Sequence, residues 1–361
     1  MADQRDDARR RLPDDLDERK ARVLRTIVAE YVANGQPVGS SRVVETAGLD
    51  VSSATVRNEM AALEERGYID QPHTSAGRIP TDKGYRAFVD LLEVGGLDTQ
   101  RAELIDELLG SAQDAEQLMS TASAVLSQLT RLAAMVVAPA MDEARCKLIE
   151  LVSLGTSSAL LLLVDDTGRV IRRNVEVDTP ITDGDVARVR TVLAEQVIGR
   201  RMADVHPTIE GLVEEAPAEL RPVMRAVRGA TAEDLTVDLV RRVFVGGQAA
   251  LAGDESLERG ALGQVLALIE ERATLAKVLD DTAADGADTN LPHARIGAEH
   301  DVEELKPTSL VSQRYQVVRA GSLGVLGPTR MDYGAALSTV RAVSEALERT
   351  LAHLRGPDQQ N

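Results

Sequence analysis

The segment Val51–Arg86, VSSATVRNEMAALEERGYIDQPHTSAGRIPTDKGYR, constrains this chain more than any other. Ser52 suits a helix N-cap, because its hydroxyl can accept from an orphan backbone N–H. Val56, Met60 and Leu63 then recur at i, i+4 and i+7, a stripe that must face inward. The opposite face carries Ala54, Asn58, Ala61 and Glu65, flanked by Arg57, Thr55 and Ala62. A face that is small at 54 and 61 and polar at 58 can lie against the floor of a DNA major groove. There an amide pairs with adenine, and a guanidinium with guanine or phosphate. By itself the same face also suits an ordinary solvated helix. The residues C-terminal to the helix separate the two readings. After Gly67, Tyr68–Gln71 alternates like a short strand, Arg78–Ile79 is its return partner, and Pro72–Gly77 is a polar, turn-rich tip. Helix, strand, polar loop and strand make a winged helix, and Pro80-Thr81 then opens a helix over 82–92.

Upstream, Asp17 can cap a helix with Val23, Ile27 and Tyr31 in one row and Leu24, Val28 and Val32 in the next, stopped at Asn34-Gly35. Ser40 or Ser41 opens a short helix to Ala47, and after Gly48 a four-residue turn leads to Ser52. These are the parts of a helix-turn-helix in the right order.

The segments GQPVGSSRV (Gly35–Val43), SSATVRNEM (Ser52–Met60) and GYIDQPHTSAGRIPTDKGYR (Gly67–Arg86) resemble the DNA-binding part of the HrcA family of heat-inducible transcription repressors. The resemblance continues in HDVEELKPTSLVSQRY (His300–Tyr315) and GVLGPTRMDY (Gly324–Tyr333), and from about 208 to 288 it holds only in kind. It implies an α+β fold: an N-terminal winged helix-turn-helix, then a GAF-like α+β domain interrupted by a largely helical dimerisation insert. It also implies DNA contacts from Ser40, Ser41, Arg42, Ser52, Ser53, Thr55, Arg57, Asn58, His73, Thr74, Ser75, Arg78 and Lys83. Arg57 and Asn58 are the expected readers of base edges or their immediate backbone, Ser41, Arg42 and Lys83 hold phosphates, and Arg78 sits in or beside the minor groove. The implied partners are an inverted-repeat operator (CIRCE), a second copy of the chain and the chaperonin GroEL, which keeps the repressor active until heat stress.

The rest of the chain divides by pattern. Residues 1–15 read as a disordered arm, since six aspartates within 1–17 dilute Arg5 and Arg9–Arg11. The winged helix occupies 16–93, and Glu93–Gly96 is a linker. Positions 104 to 132 alternate spacings of four and three, a heptad seam broken at Gly110-Ser111, which serves either packing within its own domain or an intersubunit coiled coil. The GAF-like domain is expected over 97–178 and 289–355, with leading helices at 99–135. Its strands are Lys147–Leu154, Ala159–Val164, Val170–Val177, Arg295–Ile296, Ser309–Val318 and Ser322–Leu326, followed by a helix capped at Asp332. Residues 179–288 are the insert, ending in an acidic linker at Asp280–Asp288. Its Val243, Phe244, Val245, Leu262, Val265, Leu266 and Ile269 are the favoured dimer contact, with the helix at Leu104–Leu132 as the alternative.

The net charge of −17 has the wrong sign for a DNA-binding chain, but Arg19–Arg86 holds ten Lys/Arg against eight Asp/Glu, leaving −19 elsewhere. An acidic body is repelled from phosphates and turns the winged helix toward them. Acidic soluble proteins are also common in their own right. Catalytic patterns are weak. Asp166-Thr167-Gly168 has Arg169 where an aspartic protease needs a small residue, and it occurs once, so a hairpin turn is the better reading. Gly321, Gly324 and Gly327 lack the Lys-Ser/Thr of a phosphate loop. The five histidines never take zinc-helix spacing, and Cys146 is the lone cysteine, which excludes an internal disulfide. The expectation is therefore no catalytic residue, no cofactor and no metal, in a cytoplasmic protein without secretory signal or membrane span. A GAF-type ligand-sensing regulator of other operons is the alternative, and a winged helix used only for protein contact is a third reading.

Overall fold

The computed structural model describes residues 13, 15–48, 51–72, 77–139, 144–166, 168–232, 242–252, 259–286, 290–316 and 320–354. The first described elements are the helical trio expected. Helix α1 (Glu18–Asn34) is capped by Asp17, whose carboxylate accepts from Lys20 N–H, and stops at Gly35 with φ +67°. Helix α2 (Ser40–Ala47) ends at Gly48, also left-handed, and α3 (Ser53–Glu65) starts at Ser52, whose hydroxyl accepts from Thr55 N–H. Strands β1 (Ile69–Asp70) and β2 (Ile79–Pro80) pair antiparallel, Ile69 opposite Pro80. Thr81 then caps α4 (Asp82–Asp90) by accepting from Gly84 N–H. Val23, Leu24, Ile27 and Val28 from α1 meet Val43, Val56, Met60 and Leu63 in one core.

After an irregular linker come α5 (Thr99–Gly110) and α6 (Ala115–Thr130), the second capped by Asp114. The seam packs inside its own body: Leu118, Ala122 and Val125 are buried against the C-terminal helix, while Leu104 stays exposed. The leading helices end earlier than 135, because Arg131 takes a left-handed conformation (φ +58°) and the chain turns into β3 (Ala133–Val137).

The strands do not group as their order suggests. Strands β4 (Cys146–Ser153), β5 (Ser158–Asp165) and β6 (Val170–Glu176) form a separate three-stranded antiparallel sheet. One face of it is covered by α7 (Asp183–Val197), α8 (Met202–Glu215) and α9 (Arg221–Ala232), which share a core with it. The main sheet is built instead from β3, β7 (Val243–Gly246), β8 (His293–Ile296), β9 (Thr308–Gln316) and β10 (Ala320–Pro328), in the order β7-β3-β10-β9-β8. Helices α10 (Gln248–Ala252), α11 (Arg259–Glu270) and α12 (Arg272–Asp285) precede β8, and α13 (Tyr333–Leu354) closes the chain with Asp332 accepting from Ala335 N–H.

Three expectations are corrected by this topology. Residues 146–177 belong with the helices C-terminal to them, not with the C-terminal strands, so the sheet boundary does not fall at 178. Val243 pairs with Val137 in the main sheet, and Val265 and Ile269 are buried against that sheet, so these residues are core and not a free dimer surface. The acidic exit is helical through Asp285, where Leu275, Ala276 and Leu279 bury one face of α12. Along β3 the alternation is visible residue by residue: Ala134 and Val136 join the core shared with α6 and α13, and Ala133, Met135 and Val137 join the one beneath α11 and α12.

Candidate nucleic-acid interface

The exposed face of α3 is the one expected from its periodicity. Ser53, Ala54, Arg57, Asn58, Ala61 and Glu65 are exposed, while Val56, Met60 and Leu63 are buried. Ser52 and Thr55 are committed to the helix start, with hydroxyls 3.1 Å apart and Thr55 half-buried. The wing root is fixed by a backbone bridge in which Val38 N–H donates to Arg78 O and Arg78 N–H to Val38 O, both at 2.9 Å. Gly77 belongs there because a Cβ would stand 2.5 Å from the Val38 carbonyl.

The cations divide sharply. Arg57 has no ion-pair partner among the described residues, and its side chain is open to solvent beside Asn58. Arg42, expected on a phosphate, donates Nε to Glu30 at 2.9 Å, and Glu30 also accepts from Thr46 and Asn34. The Arg42 guanidinium, followed by the Thr46 hydroxyl, holds the Glu30 carboxyl below the usual carboxylate range. Arg78 donates from Nε and Nη2 to Glu64 at 3.1 and 2.8 Å and is 20 % exposed, so in the free protein it clamps the wing to α3. Lys83 donates to Arg66 O at 2.8 Å and sits 4.2 Å from the Tyr68 ring centroid, which staples α4 to the C-terminal end of α3. The Tyr68 hydroxyl donates to Asp15 at 2.6 Å; burial and this bond push the phenol up, and the bond, helped by Lys83, draws the Asp15 carboxyl down against its own burial.

The structure thus brings Ser53, Arg57 and Asn58 onto one open face and places exposed Ser41 and half-buried Ser40 at the start of α2, where Gly39 supplies no side-chain cap. For Arg42, Arg78 and Lys83, contact with phosphate or groove requires exchange of a present partner. For exposed Arg42, solvent screening makes such a surface pair easy to exchange. His73, Thr74 and Ser75 lie outside the described residues. The partners Glu30 and Glu64 were not foreseen, since each lies more than ten positions from its arginine, beyond any helical spacing.

No helix among the described residues is long and apolar enough to cross a membrane, and no group of three or more His, Cys, Asp or Glu there could hold a metal ion. Asp165 and Asp166 serve the β5–β6 turn, where their carboxylates accept from Arg169 N–H and Arg145 N–H.

Residues 116–337 match the family described as HrcA protein C terminal domain. A heat-inducible transcription repressor HrcA from Nocardia farcinica is 41 % identical over 342 residues, covering 93 % of this chain and 97 % of that protein. The repressor of the same description from Streptomyces albus G is 40 % identical over 340 residues, covering 93 % and 99 %. A crystal structure described as a hypothetical protein superposes with a TM-score of 0.71 at 23 % identity, covering 94 % of this chain and 99 % of that one, a likeness of fold.

Proposed function

We propose, for a chain that belongs to the HrcA family of heat-inducible transcription repressors, that it represses heat-shock operons as a cytoplasmic dimer, each winged helix reading one half of an inverted repeat. The observation that carries this is the open face of α3, where Arg57, unpaired among the described residues, and exposed Asn58 project beside small Ala54 and Ala61. An amide and a guanidinium on such a face match base edges in the major groove. Ser41, Arg42 and Lys83 lie where phosphates run beside that groove, and Arg78, once off Glu64, reaches the minor groove. The operator is of the CIRCE type, and a chaperonin of the GroEL type raises the active fraction.

One recognition helix spans too few base pairs for a selective genomic site, so two-fold symmetry is the economical solution. The second face of the three-stranded sheet supports a dimer. Leu148, Val152 and Val170 are 41, 43 and 44 % exposed there, and Leu160, Leu162 and Val164 on the central strand are half-exposed beside them. Glu150, Arg172 and Asn174 share this face, flanking Leu162 and Leu160, so it is a mixed surface with an apolar row of Leu148, Val164 and Val170, and a second copy of the same face covers it isologously. The ligand-sensor alternative is less well supported, because among the described residues side chains pack both faces of the main sheet.

The test is binding of an inverted-repeat duplex and a scrambled duplex by wild type and Asn58→Ala. The variant is expected to lose about 1–3 kcal/mol of specific binding and to keep non-specific binding. Equal losses on both duplexes would remove α3 from base reading.

A further inference from the structure

The winged helix is not merely tethered to the body. Its linker residues Gly95 and Gly96 have open space around them, and 92–98 has no regular structure, so the covalent connection alone leaves the orientation undetermined. What determines it is a set of contacts from α4 to the turn after β8. Arg86 donates Nε to Glu299 Oε1 at 2.8 Å and Nη2 to Oε2 at 2.6 Å, a fork-to-fork pair, and also donates to Ala294 O and Asp90. Asp82 accepts from Ala298 N–H at 2.9 Å. The Asp82 carboxylate fills the space beside Gly297, where a Cβ would stand 2.0 Å from Oδ2 and φ is +53°. Tyr85 packs on Tyr333 with ring centroids 5.7 Å apart, and Arg330 lies against Gly35 at the end of α1. Arg57 and Asn58 take part in none of these contacts and stay exposed. The docking therefore orients the recognition helix without covering it.

We infer that Arg86 and Glu299, with Asp82 seated on the 297–299 turn, set the angle at which each recognition helix is presented and so fix the half-site spacing an operator must have. None of these residues touches DNA; they are positioning residues. The inference rests on the dimeric, inverted-repeat reading above. Two half-sites held at a fixed separation raise the effective concentration of the second binding event, and a swinging domain gives up most of that gain. A rigid pair also rejects a repeat whose halves are displaced around the helix axis, whereas a loose pair accepts it.

The experiment uses the full chain and the inverted repeat that wild-type protein selects from a random duplex pool. Three probes are compared: that repeat, the repeat with half a helical turn (about 5 bp) inserted at its centre, and a single half-site. The variants are Arg86→Met, which removes the fork but keeps an apolar stem, and Gly297→Ala, which displaces Asp82 from the other side. Sedimentation and circular dichroism establish that each is a folded oligomer like wild type. Wild type should lose about 100-fold on the inserted repeat. Both variants should bind the selected repeat about tenfold more weakly than wild type, lose less than tenfold on insertion, and match wild type on the half-site. Variants that keep the full insertion penalty, or bind the selected repeat more tightly than wild type, overturn the inference. A wild type that selects no inverted repeat overturns the dimeric reading itself, which is a separate result.

Discussion

His300 comes directly after Glu299 and is 3 % exposed, with both ring nitrogens buried and the Thr308 backbone the polar group that faces the ring. Burial, reinforced by the Arg295 guanidinium and opposed by Glu299, the Thr308 backbone and Asp301, pulls its pKa from 6.5 down to about 4. The folded state therefore keeps the imidazole neutral where the unfolded chain protonates it. Between these two values the unfolded chain binds more protons, so stability rises with pH. The contribution is fully present above pH 6.5 and is lost as pH falls toward 4. From pH 8 to pH 5 the loss from this one group is about 2 kcal/mol. Carboxylates drawn down by partners, such as Glu30 and Asp17, contribute mainly below that range, and they cancel, together with Glu348 whose carboxyl burial raises, between two proteins that differ only at position 300. Urea unfolding of wild type and His300→Leu at pH 8 and pH 5 measures the effect as a double difference. The leucine variant should lose about 2 kcal/mol less than wild type on acidification. Equal losses would refute the reasoning and mean that the imidazole has solvent or a proton acceptor in the folded protein.

Three other outcomes are expected. Leu162→Glu places a charge at the centre of the outer face of the three-stranded sheet and should yield a folded monomer by sedimentation; an unchanged dimer would move the interface elsewhere. Gly77→Ala puts a methyl group into the Val38 backbone, and overpacking of about 1–3 kcal/mol should appear as a lower melting temperature, with an unaltered melt contradicting the close approach. Glu64→Gln removes the carboxylate that clamps Arg78 and should tighten DNA binding at low salt with a steeper salt dependence, whereas weaker binding would show that the clamp positions the wing.

The winged helix was legible because its signals are local. Caps at Asp17, Ser52 and Thr81 and the stops at Gly35 and Gly48 all lie within a few residues of the elements they bound, and each stands where the pattern put it. The β5–β6 hairpin and the buried stripe Tyr333, Leu337, Val340, Leu347 and Leu351 of α13 were legible for the same reason. Which strands share a sheet is a non-local property. Nothing in LVSLG or VIRRN says that β4 to β6 pair only with one another, and the four residues of β7 look like any short apolar run inside a helical region. At the interface, exposure of Arg57 and Asn58 came from helical phase, but the capture of Arg42 and Arg78 by Glu30 and Glu64 depended on tertiary approach.

Strand β3 pairs with β10 through Ala133–Leu326 and Val137–Ser322, so its central neighbour is made only when almost the whole chain has been synthesised. Until then AAMVV, apolar on both faces, keeps the edge that β10 will take open, with β7 available for the other edge only from residue 246, while the three-stranded sheet and its helices, complete by Ala232, can already collapse around their own core. Pairing over so long a loop is slow, and an unpaired apolar strand is an aggregation hazard during the wait. In pulsed hydrogen exchange, amides of β5 should gain protection before those of β3. A chain whose centre closes this late is most exposed to aggregation at its middle, so losses of folded yield should begin at β3.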